Sequence, residues 1–141
     1  MAVYAAHGGA GATTLARALH VPVTTDPGSA AVLVVAARTT ADAATAVLET
    51  VAGLPEHRPV VLALTGDGPL RPPAAVAAMR RLLDPRLAGV VERPWQPRWR
   101  HEHPRSATAD KAWTAAAVRL HRLALDLAAR TDHEALEGAL P

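Results

Sequence analysis

Residues 30–37 read Ala-Ala-Val-Leu-Val-Val-Ala-Ala, an apolar run without a polar break. A strand with one face in water alternates apolar and polar side chains, and this run does not. Both of its faces must be covered, which is the condition of a parallel sheet flanked by helices. Pro59-Val60-Val61-Leu62-Ala63-Leu64-Thr65 is a second run of the same kind. Shorter apolar segments at 2–6, 21–24 and 88–91 complete a set of strand candidates.

Helical patterns fall between them. Leu15, Ala16 and Leu19 follow a glycine-rich turn, and Pro22 marks the end of that short helix. Thr39 or Thr40 can cap the next helix, whose stripe is Ala44, Val47, Leu48 and Val51, with Gly53 at its end. Pro72 and Pro73 can open a third, with Val76, Met79, Leu82 and Leu83 facing inward. The longest is expected over 108–130, with Trp113, Ala117, Leu120, Ala124 and Leu127 on one face. Arg119, Arg122, Asp126 and Arg130 lie on the other, the usual pattern of a solvated face. Strand and helix alternate throughout, so the expected fold is α/β, a compact three-layer sandwich with a mainly parallel sheet of about five strands. Residues 1–130 read as one domain and 131–141 as a flexible tail.

Composition narrows the function classes. The chain has 141 residues, no Phe and 3% aromatics, so its core must be built from Ala, Val and Leu. The absence of Cys excludes disulfides and thiolate metal sites. A net charge of +2 is too small to demand a nucleic-acid partner. No run reaches the roughly 18 apolar residues of a membrane helix, and no secretory signal is evident. A cytoplasmic protein without a membrane partner is the expectation. Lys111 is the only Lys among fifteen basic residues, and Ala is abundant, which suggests a GC-rich bacterial genome.

The strongest chemical signal is His7-Gly8-Gly9-Ala10-Gly11-Ala12-Thr13-Thr14, between the first strand and the first helix. Glycines let successive backbone N–H groups converge on an anion, and the helix that follows adds the positive end of its dipole. A hydroxyl in its first turn can ligate Mg²⁺ beside phosphates.

This segment, continued by Leu15-Ala16, resembles the deviant Walker A loop of ParA/MinD-type P-loop ATPases, whose pattern runs Lys-Gly-Gly-x-Gly-Lys-Thr-Thr. The resemblance implies a P-loop-like fold and an ATP or ADP site with Mg²⁺, formed by His7, Gly8, Gly9, Gly11, Ala12, Thr13 and Thr14. Thr13 would be a metal ligand. Asp26, in Asp26-Pro27-Gly28, resembles the acidic end of a Walker B strand and would be the second. The chain also resembles small bacterial proteins linked to mobile elements. Both family lysines are missing: His7 replaces the first and Ala12 the second, which reaches the β- and γ-phosphates. Phosphoryl transfer relies on positioning and electrostatics, so this loss harms turnover more than binding. The expected function is therefore a non-catalytic or nearly non-catalytic protein acting by partner binding or self-assembly. One alternative is a slow ATPase in which His7, or Arg98 or Arg100 of a neighbouring subunit, replaces the lysine.

Residues 92–105 hold two of the three Trp, with several Arg and two His. Trp and Arg are favoured at binding hot spots, which makes Trp95, Arg98, Trp99 and Arg100 candidate partner contacts. In the resembling ATPases a loop after a late strand contacts the base. A DNA-binding module using 93–105 is a second alternative. The bland reading is that Trp95 and Trp99 cover a sheet end short of large side chains. His101 and His103 lack an obvious third metal ligand, and neither Ser29 nor Ser106 lies in a Gly-x-Ser-x-Gly elbow. The glycine turn, the Asp26 turn, Arg38-Thr39-Thr40, Asp67 and the Trp/Arg segment all follow strands, so they are expected to share one edge of the sheet.

Overall fold

The computed structural model describes residues 1–96 and 111–138. Among these, five strands form one sheet: β1 (Ala2–Ala5), β2 (Val23–Thr24), β3 (Leu33–Arg38), β4 (Val60–Thr65) and β5 (Leu87–Arg93). The helices are α1 (Ala12–Leu19), α2 (Ala41–Ala52), α3 (Ala74–Leu83) and α4 (Lys111–Gly138), with a 3-10 turn at Asp84–Arg86. Every strand pairing is parallel, in the order β2-β1-β3-β4-β5. The chain leaves β1 toward one edge and returns to β3 on its other side. The loops that follow β1 and β3 therefore diverge, and open a crevice at the C-terminal ends of those strands.

The unbroken apolar runs occupy the positions that their lack of alternation requires. Leu33, Val35 and Ala37 of β3, with Val60, Leu62 and Leu64 of β4, pack against Val47 and Val51 of α2 and Val76, Met79 and Leu83 of α3. Val34, Ala36, Val61 and Ala63 face the other way, onto Leu15, Ala16 and Leu19 of α1 and Ala116 and Leu120 of α4. The result is a three-layer α/β sandwich whose core holds almost no aromatic bulk. Close approach substitutes for side-chain size: a Cβ on Gly89 of β5 would overlap Leu123 of α4, so the bare glycine lets that helix lie close to the sheet.

The end signals act largely as read. Thr40 Oγ1 accepts the Ala43 amide at 3.2 Å and caps α2, and Gly53 terminates it. Pro73 sits at the N-cap of α3. Four boundaries differ. β2 is only Val23–Thr24, because the Val21 amide is spent closing α1 onto Ala16 O and Pro22 has no amide. β3 starts at Leu33 rather than at residue 30, since the Ala30 carbonyl accepts from the Arg58 guanidinium. β5 runs on through Glu92 and Arg93. α4 continues to Gly138, eight residues past the expected end. Leu82, expected inward, is 68% exposed. At 100° per residue the face shared by Val76, Met79 and Leu83 excludes it. No helix among the described residues is long and apolar enough to cross a membrane.

Candidate functional site

Aligned residues on neighbouring parallel strands point to the same face of the sheet. On the side covered by α1 and α4, the register stacks Val34, Val61 and Gly89 in one row and Ala36, Ala63 and Val91 in the next. The row after that is Arg38, Thr65 and Arg93, the last residues of β3, β4 and β5. A face that is apolar for two rows thus ends in a guanidinium, a hydroxyl and a second guanidinium.

The glycine turn closes over this row. Gly9 and Gly11 have φ of 76° and 78°, left-handed values that side chains with a Cβ resist. Gly11 is the N-cap of α1 and offers no side-chain cap. The first helical hydrogen bond is Leu15 N to Gly11 O at 3.0 Å. The amides of Ala12, Thr13 and Thr14 therefore have no backbone acceptor among the described residues, and they carry the positive end of the helix.

Turn and polar row together enclose a cavity of about 150 Å³, lined by Gly9, Ala10, Gly11, Thr14, Arg38, Thr65 and Arg93. Two of these side chains are cations, two are hydroxyls, and none is a carboxylate. Arg93 is only 3% exposed. Its Nε and Nη2 have no hydrogen-bond partner, and neither does Thr65 Oγ1. The guanidinium lies against the turn: a Cβ built on Gly11 would be 3.7 Å from Arg93 Nη2. Burial first, and then the charge of Arg38, lowers the Arg93 pKa from the usual arginine range to about 10. The group stays cationic at neutral pH, but it has no counter-ion among the described residues.

Arg38 is committed differently. Its Nε donates to Gly9 O at 2.9 Å and its Nη1 to Asp67 Oδ1 at 2.8 Å, so it ties the turn to the loop after β4. The Asp67 amide in turn donates to Thr39 Oγ1 at 3.1 Å. Asp67 is thus the partner of Arg38 rather than a free carboxylate.

The residues expected at the cradle divide into three groups. Gly9, Gly11 and Thr14 line the cavity. His7 braces it from outside: the Arg38 amide donates to His7 Nε2 at 3.0 Å, so the ring proton sits on Nδ1, 2.8 Å from Gly8 O. Gly8, Ala12 and Thr13 are not among the lining residues. Gly8 and Thr13 are exposed, while Ala12 is buried against the core.

The structure does not bring Asp26 to the site. Its Oδ1 accepts the Gly28 amide at 2.8 Å within its own turn. The Gly28 carbonyl accepts from Arg58 at 2.7 Å, and Arg58 precedes β4. The Asp26 turn is thus tied to the residue before β4, and Asp26 is not among the residues lining the cavity. Among the described residues no three His, Asp or Glu side chains are grouped to hold a metal ion. The cradle lining offers Mg²⁺ no carboxylate: its polar side chains are two guanidinium groups and two hydroxyls.

Trp95 does reach the cradle edge. Gly66 N donates to Arg93 O at 3.0 Å, and the Trp95 backbone crosses Gly66 so closely that a Cβ there would lie 2.9 Å from Trp95 N. Arg98, Trp99 and Arg100 lie outside the described residues. Thr65 and Arg93 are the site residues that sequence reasoning missed as a pair. Their signal was present: Thr65 is the one polar residue of β4 and closes it, and Arg93 closes β5 after Glu92. Comparison with protein-family models, with curated proteins and with solved structures finds no match.

Proposed function

We propose that this chain is a P-loop-like protein that binds a phosphate-bearing ligand without turning it over, and that it acts through a protein partner or through self-assembly. The observation that carries this reading is the lining of the cradle: a glycine turn at a helix N-terminus, two guanidinium groups and two hydroxyls, with no carboxylate. Such a lining can hold a phosphate by charge-assisted hydrogen bonds. Among the described residues that lining has no carboxylate or imidazole to take a proton from attacking water. The kinship with ParA/MinD ATPases, and a setting in maintenance or transfer of a mobile element, rest on the turn sequence and belong to the same proposal. Trp95, beside Gly66, is the partner contact nearest the cradle.

The test is phosphate release from ATP with Mg²⁺, run beside light scattering of the protein with and without nucleotide. The expected result is no release above a Thr13→Ala control, together with concentration-dependent assembly or capture of a protein partner. Steady Mg²⁺-dependent release above that control overturns the non-catalytic reading.

A further inference from the structure

We propose that Arg93 and Thr65, with the amides that open α1, form a metal-independent site for a phosphate-class oxyanion. This deepens the reading above and rests on it for the identity of the cradle. Its own support is separate. Arg93 is 3% exposed, has two guanidinium nitrogens without partners and lies against the turn. A buried cation without a partner is costly to keep, and in folded proteins such charges are paired. Thr65 Oγ1, its neighbour in the ladder, is likewise buried without a partner. Of the open amides of α1, that of Thr14 belongs to a residue lining the cavity and adds a donor there. Each of these unpartnered side-chain atoms can donate a hydrogen bond, so the ligand that fits is an acceptor with several oxygens and a negative charge.

Size narrows the occupant. A cavity of about 150 Å³ is well below the roughly 300–1,000 Å³ of pockets that enclose drug-sized ligands. It takes the phosphoryl group itself, with any attached nucleoside outside over the turn. Carboxylate ligands for a cation are missing from the wall, so the anion's charge is balanced by Arg93 and Arg38. The cation that Ala12 cannot offer from the turn comes instead from the far side of the cavity, on the last row of β5.

Isothermal titration with inorganic phosphate, and separately with ADP and ATP, each in EDTA and in Mg²⁺, tests this on the full chain. The wild type is expected to bind at least one of these anions equally well in EDTA and in Mg²⁺. Arg93→Met is expected to weaken that binding roughly 10- to 100-fold, the equivalent of one charge-assisted hydrogen bond. Thr65→Val, close in shape, is expected to weaken it several-fold and serves where the first variant is poorly folded. Arg93→Lys is expected to restore part of the affinity. Binding that requires Mg²⁺, or that survives Arg93→Met and Thr65→Val unchanged, overturns the site while leaving a nucleotide cradle intact. Phosphate binding that is lost in Arg93→Met but gains nothing from an attached nucleoside keeps the site and overturns the nucleotide kinship. No binding of any of these anions at millimolar concentration overturns both.

Discussion

Replacing Arg93 by Met separates a ligand-binding cation from a structural one, because the two roles predict opposite signs for stability. The unbranched apolar side chain keeps most of the stem and removes the charge. In the folded protein the Arg93 pKa is lowered from the usual arginine range to about 10, through burial first and then the repulsion of Arg38. At about 1.4 kcal/mol per unit, that difference opposes folding by about 3 kcal/mol. Some stem packing is lost on substitution, so Arg93→Met is expected to be more stable than wild type by roughly 1–3 kcal/mol, a rise of roughly 3–10 °C in Tm. The sign with pH follows. The folded state binds this proton less tightly than the unfolded state, so the penalty is fully present below about pH 10 and fades as pH rises toward the usual arginine range. The stability difference between variant and wild type is therefore flat through neutral pH and shrinks above about pH 10. Thermal and urea unfolding followed by circular dichroism in phosphate-free buffer measure it. Repeating the melts at saturating phosphate or ATP in EDTA completes the test. At 100 times Kd a ligand stabilises by about 2.7 kcal/mol, which wild type gains and the variant does not. A variant that melts lower than wild type in ligand-free buffer refutes the reasoning, because the guanidinium would then be contributing to the fold as a paired group.

Four other substitutions probe the frame of the site and of the sheet. Gly11→Ala puts a Cβ at φ 78°; a loss of about 1–2 kcal/mol in urea unfolding is expected, with weaker anion affinity by titration. Gly89→Ala drives a methyl group into Leu123, and unfolding should show a loss of about 1–3 kcal/mol, with the anion site unaffected. His20, the C-cap of α1 at φ 54°, is the one residue other than glycine with positive φ among those described; His20→Gly should raise stability by about 0.5–1 kcal/mol in the same assay. Thr40→Ala removes the cap from α2 and should cost about 1 kcal/mol, read as a fall in Tm of a few degrees.

The fold was legible wherever burial acts on both faces of a strand. The run at 30–37 and the run at 59–65 could be nothing but central parallel strands, and from them came the two helical layers. Boundaries were less legible because they depend on single hydrogen bonds. The Val21 amide and the Ala30 carbonyl are taken by Ala16 and Arg58, and no local pattern announces either partner. The glycine turn was legible as a nest, since Gly9 and Gly11 occupy backbone regions that other residues avoid. Its lining was not. Thr13 and Thr14 are equivalent in a motif, yet the rotation of α1 turns Thr14 to the cavity and leaves Thr13 in solvent. Arg93 was read as the start of a basic loop because it follows Glu92 and precedes Pro94. Register places it elsewhere, since pairing Thr65 with Arg93 aligns two strand ends that lie 28 positions apart in the chain.

Moving the cation from the turn to the sheet changes what it can do. A lysine in the first turn of α1 would carry its charge on a flexible four-carbon stem, able to follow the phosphoryl oxygens as charge shifts between them. Arg93 is a rigid fork at the end of a ladder, almost fully buried, with its backbone carbonyl bonded to Gly66 N. A charge fixed in this way stabilises the bound phosphate and any state along its transfer to a similar degree, and uniform stabilisation raises affinity without raising the rate of the chemical step. The other cation, Arg38, also lines the cavity and holds Gly9 O and Asp67 through Nε and Nη1. An anion bound there would contact a side chain that is tied both to the glycine turn and to the loop after β4. A site built this way is suited to reporting whether a phosphate is present, through the surface that the loops display, rather than to consuming it.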